Sequence, residues 1–380
     1  MHIAFLTPEY PHEKVVHAAG IGTSTKNLAV ALEKNGVSVS IFVFLQPKEE
    51  IFQENGIKIH LIKHRKYRYF TWFLHRKYLQ DYLNKFIKED GIDLVEAPDW
   101  TGITAFMNLK APLIIRFHGS DAYFCHLEGR KQKRKNFWFE RAGIQKAKAF
   151  IAPTEFAGKV TQEIFNIQKK TIQTIHHGLT LQNFKNENPA FFDTGMLLYI
   201  GTIIRKKGVL ELPEILKRVV AQNPEAHLVL IGADSYDIQT QSTSTWELLQ
   251  GQADESIKNK MNYLGKVPYA EVQEYIRKAN VCIFPTFAET LGMVTIESMA
   301  MQKAVVNSNI GWAKELIVDG ESGYLVHPTD HDMFASKIIT LLENKEMTLE
   351  IGKKARKRVE EVFDMENIVH QNIDFYKRHL

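Results

Sequence analysis

Three consecutive cations, Arg205-Lys206-Lys207, stand between a short apolar run and Gly208, led in by Gly201-Thr202-Ile203-Ile204. A planar guanidinium fork beside compact ammonium charges at a strand end suits a diphosphate. The alternative is a solvated charge run. Further on, Phe284-Pro285-Thr286-Phe287-Ala288-Glu289-Thr290-Leu291-Gly292-Met293 leads into Val294–Met301, which reads as a helix. Glu289 falls in the loop and Glu297 in the helix, eight residues on, so they do not share a helix face. That division lets one acid meet a sugar and the other a ribose, whose paired hydroxyls donate well to carboxylates. Backbone amides of Leu291, Gly292 and Met293 at the helix start can hold phosphate oxygens, and Thr290 beside them is a further donor-binding candidate.

The first half carries two looser candidates. His118-Gly119-Ser120-Asp121 follows the apolar run Leu113–Phe117. A polar cluster at the carboxyl end of a parallel strand points into a binding crevice, where His118 can bond sugar hydroxyls or phosphate. Ser120 or Asp121 can equally be a plain helix cap. Ala19-Gly20-Ile21-Gly22-Thr23-Ser24 precedes a helical stretch, and Gly20 and Gly22 let amides approach an anion. A nicotinamide-cofactor reading is weak there. It needs a third glycine at its own spacing and an acid ending the second strand, which here ends Phe44-Leu45-Gln46. Asp330-His331-Asp332 looks like a metal-binding acid pair, yet it follows Pro328-Thr329 and opens a helical run. It reads as a helix N-terminus, and no metal or cofactor is expected.

Strands and helices must position these groups. Short apolar runs at Ile3–Leu6, Val39–Phe44, Ile57–Ile62, Leu94–Glu96, Leu113–Phe117, Phe150–Ala152 and Thr171–Ile175 alternate with amphipathic stretches such as Thr23–Lys34 and Tyr78–Lys88. The second half repeats the scheme with Leu197–Ile200, His227–Ile231, Val281–Phe284, Ala304–Asn307 and Gly323–Val326. Such alternation implies mostly parallel sheets covered by helices, an α/β fold. The seam falls in the polar stretch Leu179–Thr194. Residues 1–180 then form one Rossmann-like domain and 190–363 another, and a last helix at about 364–380 can pack back onto the first. Two such sheets facing each other would open a deep cleft at their strand ends.

Bulk properties set the class. A chain of 380 residues exceeds one ordinary core, and 44% hydrophobic with 24% charged residues is globular rather than disordered. Cys125 and Cys282 lie far apart, outside any metal-ligand spacing, so reduced thiols in the cytoplasm are expected. No apolar stretch approaches a membrane span, and no leader is evident before the first strand. The net charge of +4 is uneven. The first 180 residues carry 26 Lys/Arg against 17 Asp/Glu, the remainder 22 against 27.

Taken in order, these residues resemble glycosyltransferase family 4, of the GT-B fold. The resemblance spans nearly the whole chain. It rests on the glycine loop, the His118 cluster, the basic strand end, Glu289-x7-Glu297 with Ser298-Met299-Ala300, and Gly311…Glu315…Asp319-Gly320…Gly323. Ala152-Pro153-Thr154-Glu155-Phe156 and Gly178-Leu179…Phe184 are similar to its interdomain segments. The resemblance implies a metal-independent transferase that retains anomeric configuration. Its donor would be a nucleotide-diphosphate sugar, UDP- or GDP-linked, bound by the second domain. The acceptor, a glycan, lipid-linked or small molecule, would go to the first. It also implies that Arg205 and Lys207 neutralise the leaving diphosphate, that Glu297 binds ribose and that Glu289 binds the transferred sugar. Two positions depart from the pattern: Thr202 stands where the family often has Arg, and Ile310-Gly311 replaces a frequent Gly-Gly. Fold alone does not fix chemistry, so a sugar-nucleotide epimerase, a phosphorylase and a non-catalytic carbohydrate-binding protein remain rivals.

Two stretches of the first domain mix cations with aromatics, Lys63–Phe73 and Arg130–Phe139. They suggest peripheral contact with the inner face of a membrane, where a lipid-linked acceptor would sit. The alternative packs the aromatics inward and leaves the cations solvated. Nucleic acid is not expected, because no recognition motif accompanies the charge.

Overall fold

The computed structural model describes residues 1–168 and 170–380, which form two compact units. Met1–Leu179 with Met365–Leu380 make the first, and Thr180–Asp364 the second.

The first unit is built on eight strands: β1 (His2–Thr7), β2 (Ser38–Gln46), β3 (Glu50–Glu54), β4 (Ile57–Lys63), β5 (Leu94–Pro98), β6 (Leu113–Arg116), β7 (Ala149–Ala152) and β8 (Ile172–Thr174). Their order is β3-β4-β2-β1-β5-β6-β7-β8, parallel throughout except for the antiparallel edge strand β3. β1 is apolar on both faces because both are covered. Ile3 and Phe5 pack with Leu28 and Leu32 of the helix Gly20–Lys34, whereas Ala4 and Leu6 pack with Leu79 and Leu83 of the helix Thr71–Glu89.

The C-terminal helix Met365–Lys377 belongs to this first unit. Ile368, Val369 and Phe375 bury into the β1 side of the core. A polar lock reinforces them. Arg116 at the end of β6 forks onto Glu96 of β5, with Nε–Oε1 2.7 Å and a second nitrogen 3.1 Å from Oε2. Asn372 accepts from Arg116 at 2.6 Å, and the Tyr376 hydroxyl donates to Glu96 at 2.7 Å. All four side chains are buried, so every charge taken from water is matched by directed bonds.

The second unit holds β9 (Met196–Ile200), β10 (His227–Ile231), β11 (Met261–Tyr263), β12 (Val281–Phe284), β13 (Ala304–Ser308) and β14 (Tyr324–Val326). All are parallel, in the order β11-β10-β9-β12-β13-β14. The chain therefore builds outward from β9 on one side and then returns to place β12 against its other edge. Leu198 faces Val229 of β10 and Cys282 of β12 in register. The β9–β12 junction is the switch point of this sheet, where loops diverge and leave a crevice at the carboxyl ends.

Candidate active site

The basic and acidic loops leave β9 and β12, the two strands of that switch point. They are joined through the backbone: the Lys206 carbonyl accepts from the Phe287 amide at 2.9 Å and the Ala288 amide at 3.2 Å. Gly208 adopts φ +70° and packs so tightly that a Cβ there would overlap the Pro285 carbonyl oxygen. Only glycine closes this contact. The Arg205–Lys207 segment is a 3₁₀ turn, and the regular helix begins at Leu212.

This docking brings Lys207 onto Glu289, whose ammonium and carboxylate are hydrogen-bonded directly. The other Glu289 oxygen accepts from the Thr290 amide at 3.0 Å. Burial works to raise the Glu289 carboxyl, but the Lys207 charge and hydrogen bond prevail and hold it below its ordinary range. The pair keeps modest side-chain exposure, 23% for Lys207 and 18% for Glu289, so a ligand can reach both.

Arg205 is placed differently. Its Nε and a terminal nitrogen bond both oxygens of Asp237 at 2.9 and 2.8 Å. Asp237 is 2% exposed and also accepts from the Thr240 amide and hydroxyl. Hydrogen bonding to Arg205 holds the Asp237 carboxyl well below its ordinary range. Arg205 is thus the anchor of the loop after β10. Thr202 contributes its carbonyl to the Tyr199 hydroxyl at 3.1 Å.

The acidic loop ends in the helix Met293–Ala300, entered from Gly292 at φ +94° with no side chain capping it. Its first-turn amides keep the partial positive charge of a helix start. Thr290 and Leu291 are buried beneath it. On its second turn Glu297 accepts from the Tyr269 hydroxyl at 2.9 Å. Burial pushes the Glu297 carboxyl up to about 7, against the opposing effect of that hydrogen bond.

In the first unit, the sheet order reverses between β1 and β5. His118 stands just past β6, beside that junction. Its backbone amide donates to Asp99 at 2.9 Å, and its ring stacks on His177, centroids 5.2 Å apart and 12° from parallel. Burial, then Arg116, lowers His118 to about 3, and burial likewise drives His177 well down. Both rings are neutral near pH 7, each with one donor and one acceptor nitrogen. Burial pushes Asp99 up to about 7. Ser120 is indeed a cap: its hydroxyl accepts from the Tyr123 amide of the helix Asp121–Leu127.

The glycine loop differs from its expectation. Gly20 opens the helix Gly20–Lys34, three residues before the expected start at Thr23, and Gly22 lies inside it. A Cβ on Gly22 would sit 2.7 Å from the Glu9 carbonyl oxygen, and its amide donates to the Glu9 carboxylate at 2.9 Å. The anion at this helix start is the chain's own Glu9. Both glycines lie in the first unit, whereas Thr202, Arg205, Lys207, Glu289, Thr290, Leu291, Gly292, Met293 and Glu297 share the second. Asp330 caps the helix His331–Glu343, and Asp332 pairs with Arg218 at 2.5 Å. Among the described residues no group of three or more His, Cys, Asp or Glu side chains could hold a metal.

Sequence reasoning missed Asp99, His177, Asp237 and Tyr269. Tyr269 and Asp237 had no motif around them. His177 carried a faint signal, since His176-His177 immediately precedes the quoted Gly178-Leu179.

Comparison with known proteins fits this division. Residues 182–358 match the family model described as glycosyl transferases group 1, and residues 18–183 that described as glycosyltransferase family 4. The chain is 23% identical over 394 residues to an uncharacterized glycosyltransferase of Methanocaldococcus jannaschii, covering 99% of this chain and 98% of that one. It is 26% identical to a capsular polysaccharide biosynthesis glycosyltransferase of Staphylococcus aureus, over 57% of this chain and 52% of the other. Sucrose-phosphate synthase from Thermosynechococcus elongatus superposes with a TM-score of 0.80 at 20% identity, covering 99% and 98% of the two chains. Anabaena HepE in complex with UDP and glucose gives 0.74 at 17% identity over the full length of both.

Proposed function

The chain belongs to glycosyltransferase family 4, with the GT-B fold, and from that premise we propose that it moves a hexosyl group from a nucleotide-diphosphate sugar to a hydroxyl of a glycan or lipid-linked acceptor, with retention and without a metal. The observation that carries the donor reading is the Lys207–Glu289 pair, held at the β9–β12 switch point beside an uncapped helix start. Lys207 and the first-turn amides meet the diphosphate, Glu289 meets sugar hydroxyls, and Glu297 meets the ribose.

As the anomeric carbon–oxygen bond to the diphosphate breaks, negative charge grows on the phosphate oxygens. Lys207 is attracted more strongly to that charge than to the donor's ground state, which lowers the barrier. The acceptor oxygen bonds the anomeric carbon on the face the diphosphate leaves, and its proton passes to a phosphate oxygen. Arg205, anchored on Asp237, shapes the basic turn. In the first unit, neutral His118 offers a hydrogen bond to sugar or acceptor hydroxyls.

Structures of HepE contain UDP or UDP-glucose, which makes the uridine donor the first to test and the guanosine donor the second. The test is a thermal-shift screen of nucleoside diphosphates and their sugars, followed by nucleotide release with and without candidate acceptors, in EDTA. Binding raises Tm through RT ln(1 + [L]/Kd). Release that requires an acceptor and persists in EDTA supports the reading. Conversion of the donor without any acceptor points to an epimerase. Activity lost in EDTA and restored by magnesium refutes the metal-free mechanism.

A further inference from the structure

The two stretches that mix cations with aromatics meet in space on the first unit. Trp72, at the start of the helix Thr71–Glu89, lies 6.5 Å from Phe70 and 6.2 Å from Trp138 of the helix Arg134–Lys146, centroid to centroid. Phe106 closes the group, 4.9 Å from Trp138 and 5.9 Å from Trp72. The base of this cluster is rigid. Phe139 is buried, and the Arg76 guanidinium stacks on it at 4.6 Å while donating to the carbonyls of Trp72, Thr101 and Gly102.

The outer rim is not packed away. Tyr69 is 65% exposed, Phe70 67% and Trp138 52%. Thus part of the aromatic set turns inward and part faces solvent. Phe70 is held outward by a left-handed backbone, φ 52°, which a bulky side chain adopts only when its surroundings impose it. Exposed cations flank these rings: Arg68 on one stretch, and Lys131, Lys133, Arg134 and Lys135 on the other. No carboxylate pairs with these five among the described residues. Arg65 and Arg130, which do have acid partners, contribute less to the local field.

We propose that this rim docks on an anionic lipid bilayer, with Phe70, Tyr69 and Trp138 entering the headgroup layer and the five cations meeting lipid phosphates. Amphipathic rings settle at the membrane interface, and unpaired cations beside them select negatively charged leaflets. No helix among the described residues is long and apolar enough to cross a membrane, so the contact is peripheral. The patch also lies past the carboxyl ends of β4 and β5, and His118 past that of the neighbouring β6. A docked rim would therefore bring lipid-borne hydroxyls to the His118 edge of the sheet. That last step rests on the proposed lipid-linked acceptor; the docking itself does not.

The test is flotation of the full chain with vesicles of phosphatidylcholine alone or mixed with phosphatidylglycerol, at low and high salt, with nucleotide binding measured in parallel. The protein should float with the anionic vesicles at low salt and be released as salt screens the surface. Each basic residue near an anionic surface is worth about fivefold in partitioning. Replacing Lys131, Lys133, Arg134 and Lys135 with Ser should therefore weaken flotation by nearly three orders of magnitude, about 600-fold. A Phe70→Ser/Trp138→Ser variant, which gives up part of the cluster's outer packing and should still unfold cooperatively with nucleotide binding retained, should also lose flotation. Brominated lipids should quench tryptophan emission in the wild type but much less in Trp138→Phe. Wild-type protein left unfloated with anionic vesicles at low salt, while still binding nucleotide, overturns the docking and leaves the transferase reading standing. Flotation without any nucleotide binding does the reverse.

Discussion

The Tyr269 hydroxyl donates to Glu297 Oε1 at 2.9 Å, from a separate helix that begins 28 residues earlier in the chain. The bond pins one carboxylate oxygen and leaves the other for a ligand. Tyr269→Phe should raise the donor KM about fivefold, the worth of one hydrogen bond near 1 kcal/mol, with little change in kcat. The pH dependence gives a second readout. Glu297 accepts ribose hydroxyls when ionised, and its carboxyl lies at about 7, so donor KM should fall as pH rises through 7. In Tyr269→Phe that midpoint should move up, because the hydrogen bond favouring the ionised form is gone. An unmoved midpoint would show that Tyr269 has no part in positioning Glu297.

Lys207 and Glu297 should separate kinetically. Lys207→Ala should lower kcat by about 10²–10³, since its partner charge develops as the bond breaks. Glu297→Ala should mainly raise the donor KM, since ribose is held alike before and during reaction. Normal turnover in Lys207→Ala sinks the assignment of the diphosphate site.

Arg205 and Asp237 should act on stability first. Arg205→Ala leaves the buried Asp237 carboxylate without its cation and should cost about 1–3 kcal/mol in urea unfolding of the second unit. Its kcat should fall less than that of Lys207→Ala. An equal or larger fall in kcat would return Arg205 to direct contact with the diphosphate.

The C-terminal helix should be held by its polar lock as well as by packing. Tyr376→Phe removes a 2.7 Å bond to buried Glu96 and should destabilise the first unit by about 1–3 kcal/mol, measured by urea unfolding. Asn372→Ala should act in the same direction, because it strips an acceptor from buried Arg116. Unchanged midpoints in both variants would mean that apolar packing alone holds the helix.

Acid should loosen the first unit through its buried histidines. His60 and His75 are neutral in the folded chain, lowered from 6.5 to about 4 by burial. The unfolded chain takes up their protons first, so their contribution is fully present above pH 6.5 and is lost as pH falls towards 4. His60 is fully buried and stacks on Phe42 at 4.4 Å. His60→Phe keeps that ring contact and should flatten the acid limb by up to about 3 kcal/mol between these pH values. A limb as steep as that of the wild type would assign acid sensitivity to other groups.

The sequence by itself determined the α/β class and most of the strands, because a strand buried on both faces must be a continuous apolar run. Leu197–Ile200 and Val281–Phe284 needed no partner to be legible. It also exposed the basic turn and the two acids, because cations and carboxylates beside glycines at strand ends have few structural uses. The charged edge strand Glu50–Glu54 and the short Met261–Tyr263 escaped, since an edge strand buries little and takes its register from its neighbour. Only the tertiary structure decided what each polar group does. Arg205 looked equal to Lys207 along the chain, yet one sits on Asp237 and the other on Glu289. Tyr376 meets Glu96 across 280 residues, and His118, before β7, meets His177, after β8. Hydrogen bonds of this kind depend on distances of about 3 Å. Sequence periodicity registers which face of an element is buried, but not which distant side chain arrives there.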